Sequence, residues 1–130
     1  MTRRAPLILA CAAVLAGCGG GGGSDQQSAS DAVNSYVGAE NHQNFQQVCE
    51  LLSDQLRRQL GGGNCARFVD EQTSGNPHRQ LKVIGVTASG DHATAQLQTT
   101  GESGTPINLK ISLDRQNGKW QVTSLGGGRG

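Results

Sequence analysis

The sequence predicts an α+β domain in which N-terminal helices pack on one face of a four-stranded antiparallel sheet. Three observations predict it. Apolar residues between positions 29 and 69 recur at helical spacing, those after position 80 recur at every second residue, and Asn117-Gly118 gives a strong short hairpin signal. Helices first and hairpin-joined strands second is the order of segregated α+β folds rather than of alternating α/β ones.

The elements follow in order. Ala29, Ala32, Val33, Tyr36 and Val37 form one helical stripe, with Ser28 or Ser30 placed to cap it, and residues 25–30 (DQQSAS) read as linker. Phe45, Val48, Cys49, Leu52, Leu56 and Leu60 form a second stripe, and Ser53-Asp54 inside it reads as a local restart with Ser53 as N-cap. Gly61-Gly62-Gly63 ends that stretch, and Asn64 is expected to cap a short helix carrying Cys65, Phe68 and Val69. Ser74-Gly75-Asn76-Pro77 marks the change of period. Residues 80–88 read as a strand apolar on both faces, with a tight turn at Ser89-Gly90-Asp91. Ala93, Ala95 and Leu97 then alternate with polar residues, as do Ile107, Leu109, Ile111 and Leu113 after a loop containing Gly101, Gly104 and Pro106. Trp120 and Val122 lead the last strand, and residues 126–130 are expected to be a disordered tail. No internal repeat is visible.

The N-terminus has a different purpose. Arg3-Arg4 precedes the apolar run APLILACAAVLA, residues 5–16, which has the parts of a secretory signal peptide and falls short of the roughly 20 residues of a membrane span. The exit Leu15-Ala16-Gly17-Cys18 resembles the lipobox of bacterial lipoproteins. That resemblance implies removal of residues 1–17, a diacylglycerol on the Cys18 thiol, and a protein held by lipid on the outer face of a cell membrane. Residues 18–28 then serve as a Gly/Ser tether to a domain spanning residues 29–125. A phosphate-cradling loop at the glycine run is excluded, because a strand should precede such a loop.

Composition narrows the function. Of eleven Lys and Arg residues, two leave with the signal, so nine remain against ten acids. A net charge of about −1 provides no basic face for nucleic acid and no polybasic patch for anionic lipid. Cys11 leaves with the signal and Cys18 takes lipid. Cys49 and Cys65 remain as an even pair in an oxidising compartment and are expected to form a disulfide, worth about 3 kcal/mol in the chain-entropy account. The pair falls short of a four-ligand metal site, and His42, His78 and His92 lack ligand spacing, so no metal or other cofactor is expected.

The chain resembles the nuclear transport factor 2-like superfamily, and among its members the lipid-anchored forms common in actinobacteria. The residues that carry the resemblance are Tyr36-Val37-Gly38-Ala39, Cys49-Glu50-Leu51-Leu52-Ser53, Cys65-Ala66-Arg67-Phe68-Val69 and Gly118-Lys119-Trp120-Gln121-Val122. The resemblance implies a cone, a curved sheet and helices around a pocket, and it implies no single activity, since the fold carries enzymes, carriers and adaptors. Tyr36, Phe45, Phe68 and Trp120 are the expected pocket residues. Tyr36 and the residues after it are similar to the start of ketosteroid isomerases, which also need a carboxylate base in the pocket. Asp54 falls off the apolar stripe and Asp114 alternates with inward residues, so no base is expected and Tyr36 reads as a core tyrosine. No G-x-S-x-G elbow occurs. Asp91-His92 reads as ordinary turn residues, and Asp70-Glu71 as a solvated face. The favoured function is a non-catalytic domain holding a small apolar ligand. The alternative is an interaction module that docks an envelope protein or a second copy, and an isomerase or dehydratase comes third.

Overall fold

The computed structural model describes residues 22–73, 80–101 and 103–126. The signal segment, Cys18, the 74–77 turn, His78 and residues 127–130 of the expected tail lie outside them. Four helices, α1 (Gly22–Asn41), α2 (Phe45–Leu51), α3 (Asp54–Gln59) and α4 (Cys65–Thr73), precede four strands, β1 (Lys82–Ser89), β2 (His92–Thr100), β3 (Pro106–Gln116) and β4 (Lys119–Gly126). The strands form an antiparallel meander in the order β1-β2-β3-β4, as the sequence predicts.

Both tight turns follow from residues that tolerate positive φ. Gly90 adopts +61° in the two-residue turn between β1 and β2, the pattern of a type II′ hairpin. Asn117 and Gly118 adopt +53° and +76°, the pattern of type I′, whose twist matches that of the strands. Ala93, Ala95, Leu97, Ile111, Leu113, Trp120 and Val122 are buried on the inner face. The two-faced burial expected of the first strand does not occur. Register slips between Val83 and Gly85, so Ile84 is an extra residue and is 51% exposed. The bulge returns Val86 and Ala88 to the inner side with Val83.

The helices break where the capping chemistry indicates. Ser53 accepts a hydrogen bond from the Leu56 amide and starts α3. Just before it, Leu52 leaves the helix, bridges Val122 of β4 in parallel, and is fully buried. The Ser53 amide also donates to the Val122 carbonyl at 2.8 Å. The expected Asn64 cap is replaced by a 3-10 turn, Gly62–Asn64, which runs directly into α4 behind Gly61 at φ +100°. Cys49 and Cys65, both buried, form the expected disulfide and join α2 to α4.

One boundary differs from expectation. The DQQSAS segment is helix, not linker, and α1 begins at Gly22. Ser28 therefore lies within the helix and caps nothing. Asp25 sits in the first turn, where a carboxylate suits the positive end of the helix dipole. Gln26 uses its carboxamide as a strand would: Nε2 donates to the Val86 carbonyl (2.6 Å) and Oε1 accepts from the Ala88 amide (2.9 Å). At the other end of α1, Asn41 does the same with Leu81, donating to its carbonyl (2.9 Å) and accepting from its amide (2.7 Å). Two side-chain amides thus satisfy backbone groups along the sheet edge that would otherwise stay unpaired.

Candidate ligand cavity

The end of the sheet that carries the hairpin turns is filled and tied. Trp120, 6% exposed, donates its indole N–H to Ser28 Oγ at 2.9 Å. Arg115 lies over the same ring, its guanidinium carbon 5.1 Å from the centroid, a cation–π distance. Its Nη1 reaches Asp25 Oδ1 at 2.6 Å and its Nε reaches Asp91 Oδ1 at 2.9 Å. Its hydrogen bonds to Asp25, and then to Asp91, raise the Arg115 pKa further above its already high value. A raised pKa on a basic group makes the contribution fully present below the unfolded value and lost only above the folded one. Arg115 therefore stays charged throughout the physiological range. Asp91 and His92 are more than turn residues: Asp91 closes on Arg115, and His92 Nδ1 lies 2.6 Å from Asp114 Oδ1.

The opposite end is hollow. Between the second half of α1, α2, α4 and the inner face of the sheet lies an open cavity of about 430 Å³. This is within the range of small-molecule sites, roughly 300–1,000 Å³. Val48, Leu52, Leu97, Leu109 and Ile111 line its floor and walls. Phe68 and Leu125, 36% and 39% exposed, stand at its mouth. Polar groups are few, chiefly Tyr36, Glu40, Gln72 and Thr73. Among the described residues that line it there is no Lys, Arg or His.

Of the four aromatic residues expected in a pocket, the structure brings two to the cavity. Tyr36 and Phe68 line it. Phe45 is half-buried on α2 and packs against the core without reaching the lining. Trp120 plugs the opposite end. Alternation places Trp120 on the inner face, but its position near the start of β4, beside the hairpin turn, puts it far from the hollow.

The sequence reading found no acid for the cavity, and this is corrected. Glu40 lines it and accepts a hydrogen bond from the Tyr36 hydroxyl at 3.0 Å. The signal was available: Glu40 follows Tyr36 by four residues, and side chains at i and i+4 share a helix face. Tyr36 is 4% exposed and its hydroxyl is satisfied, as expected of a core tyrosine, yet it forms part of the cavity wall. Asp54 pairs with Arg57 on an exposed face, away from the cavity. His42 is exposed beyond α1, and His92 lies at the tied end. A second concavity beside the disulfide mixes Glu50 and Asp54 with Arg57 and Arg58, so neither sign of charge dominates it. No group of three His, Cys, Asp or Glu that could hold a metal occurs among the described residues.

No protein-family model and no curated protein matches the sequence. Solved structures do. A protein of the NTF2-like family from Streptomyces avermitilis, suggested to be a dehydratase, shares 12% identity with a TM-score of 0.62, over 81% of this chain and 95% of that one. An uncharacterised cystatin-fold protein from Novosphingobium aromaticivorans shares 12% identity with a TM-score of 0.57, over 74% and 96%. A SEC-C motif protein from Rhodopseudomonas palustris shares 16% identity with a TM-score of 0.57, over 80% and 81%. At such identities the likeness shows the fold alone. With helices packed on a curved antiparallel meander, the domain has the α+β cone shared by NTF2-like and cystatin-fold proteins.

Proposed function

We propose that this chain is a lipoprotein, anchored through Cys18 to the outer face of a cell membrane, whose NTF2-like domain holds a small apolar ligand without transforming it. The observation that carries the reading is the apolar cavity of about 430 Å³ beneath the sheet. A hollow lined mainly by aliphatic side chains is a poor way to stabilise a small domain, since it forgoes packing contacts, and a good way to bury a ligand. The non-catalytic part rests on the polar inventory. Tyr36 donates to Glu40, and the described lining residues include no histidine, cysteine or serine.

The alternative, a module that docks an envelope protein or a second copy, draws less support. The outer face of the sheet carries Thr87, Gln96 and Lys110, polar residues that suit solvent.

The test has two parts. The Cys18→Ser chain should leave the membrane fraction and the parent chain should stay in it; retention of both contradicts the anchor. A native mass spectrum of the protein recovered from its own membrane should show a non-covalent adduct of a few hundred daltons. A bare chain under the same conditions contradicts the carrier reading, and a bare dimer supports the docking alternative.

A further inference from the structure

Resting on that anchored-carrier reading, we propose that the cavity is held away from the membrane that anchors the chain, so that its ligand arrives from the aqueous side and is not drawn from the anchoring bilayer. Three observations carry this. The first is where α1 begins. A tether running through residue 28 could span more than about 30 Å, but α1 starts at Gly22, so the chain from Cys18 to the helix spans at most about 14 Å in any conformation. The second is that this end of α1 is fixed to the sheet. Asp25 bonds Arg115, Gln26 bonds the Val86 and Ala88 backbone, and Ser28 accepts from Trp120, so drawing out the first turns of the helix to lengthen the tether would break these bonds. The third is the position of the hollow. Tyr36 and Glu40 line it about 21 and 27 Å beyond Gly22 along the α1 axis, at the rise of an α-helix. β4 gives the same direction independently, running about 20 Å from Lys119 beside the tied end to Leu125 in the lining. The two lengths decide the outcome. Standing the open end on the bilayer would lift Gly22 about 27 Å above it, and the tether reaches about half that. The domain can stand on its tied end or lie on its side, but it cannot invert. No allowed pose stands the open end, with Phe68 and Leu125 at its mouth, on the bilayer.

The experiment uses the whole mature chain, purified from membranes and inserted into phosphatidylcholine vesicles whose headgroups carry an energy-acceptor dye. A fluorescent coumarin amino acid replaces Lys119 in one variant and Ser103 in another. Both residues are exposed, the first at the tied end and the second in the β2–β3 loop at the open end, and about 33 Å of β3 separates the two ends. The label at position 119 should lose most of its emission to the dye, and the label at position 103 should keep most of its own. Equal loss at the two positions, or greater loss at 103, overturns the proposed orientation and leaves the anchor standing. A chain that does not float with the vesicles overturns the anchor on which the orientation rests. Inserting about 20 Gly and Ser residues just before Gly22 lengthens the reach enough to permit inversion and should bring the loss at 103 up toward that at 119. An unchanged difference between the labels after that insertion overturns the claim that tether length sets the orientation.

Discussion

The two ends of α1 meet the sheet in opposite ways. At its N-terminal end, Asp25, Gln26 and Ser28 are each engaged by the strands, through Arg115, the Val86 and Ala88 backbone, and Trp120. At its C-terminal end, Asn41 is laced to Leu81, but the space beneath is open and one tyrosine–glutamate pair sits in an aliphatic wall. The closed end holds Trp120, the largest side chain the sequence offers, whereas the described residues at the open end leave about 430 Å³ between them. The difference teaches where rigidity and function reside. The tied end holds helix to sheet, so the other end can stay hollow without the layers separating.

The comparison can be broken most severely at Trp120. Trp120→Ala should cost about 3–5 kcal/mol, the range for emptying a buried aromatic site, measured by chemical denaturation. A loss below about 1 kcal/mol would mean that the tied end does not carry the fold. Replacing Cys49 and Cys65 with Ala should cost about 3 kcal/mol, given a sequence separation of 16 residues. Because the bridge joins α2 and α4, which wall the cavity, hydrogen exchange should quicken there before it does around Trp120. Uniform quickening would contradict the separation of the two ends. Ser28→Ala removes the acceptor of the indole N–H and should cost about 1–3 kcal/mol, since the donor is left buried without a partner. The smallest effect is expected at the open end. Leu109→Phe extends a half-buried side chain into the hollow and should change stability by under about 1 kcal/mol while abolishing ligand uptake. A large destabilisation would show that no usable space exists there.

Much of this architecture was legible in the sequence, for local reasons. Asn117-Gly118 announced a hairpin because both turn positions need positive φ, and Ser53 announced a restart because its hydroxyl reaches the Leu56 amide three residues on. Strict alternation in β2 and β3 put the right side chains inward. The start of α1 was not legible. Asp25, Gln26 and Ser28 are polar and read as tether, and their partners lie 90, 60 and 92 residues away. The same blindness affected the cavity. Alternation shows which face of β4 Trp120 occupies, but not which end of the sheet is filled. Glu40 was passed over because a carboxylate on a helix is usually solvated, and its place in the wall depends on where α2 and α4 come to rest. Residues 80–88 read as a strand apolar on both faces because the bulge at Ile84 has no strong sequence signal.

The central claim is that the open end, and not the tied one, receives an apolar ligand. The most direct measurement is a methyl NMR titration of the mature chain with 1-octanol. Leu97, Leu109, Ile111 and Leu125 methyl signals should shift and saturate together, while those of Val33 and Leu113, buried away from the cavity, should hold still. Shifts of equal size at Val33 and Leu113, or stationary signals at all four cavity residues, would contradict it.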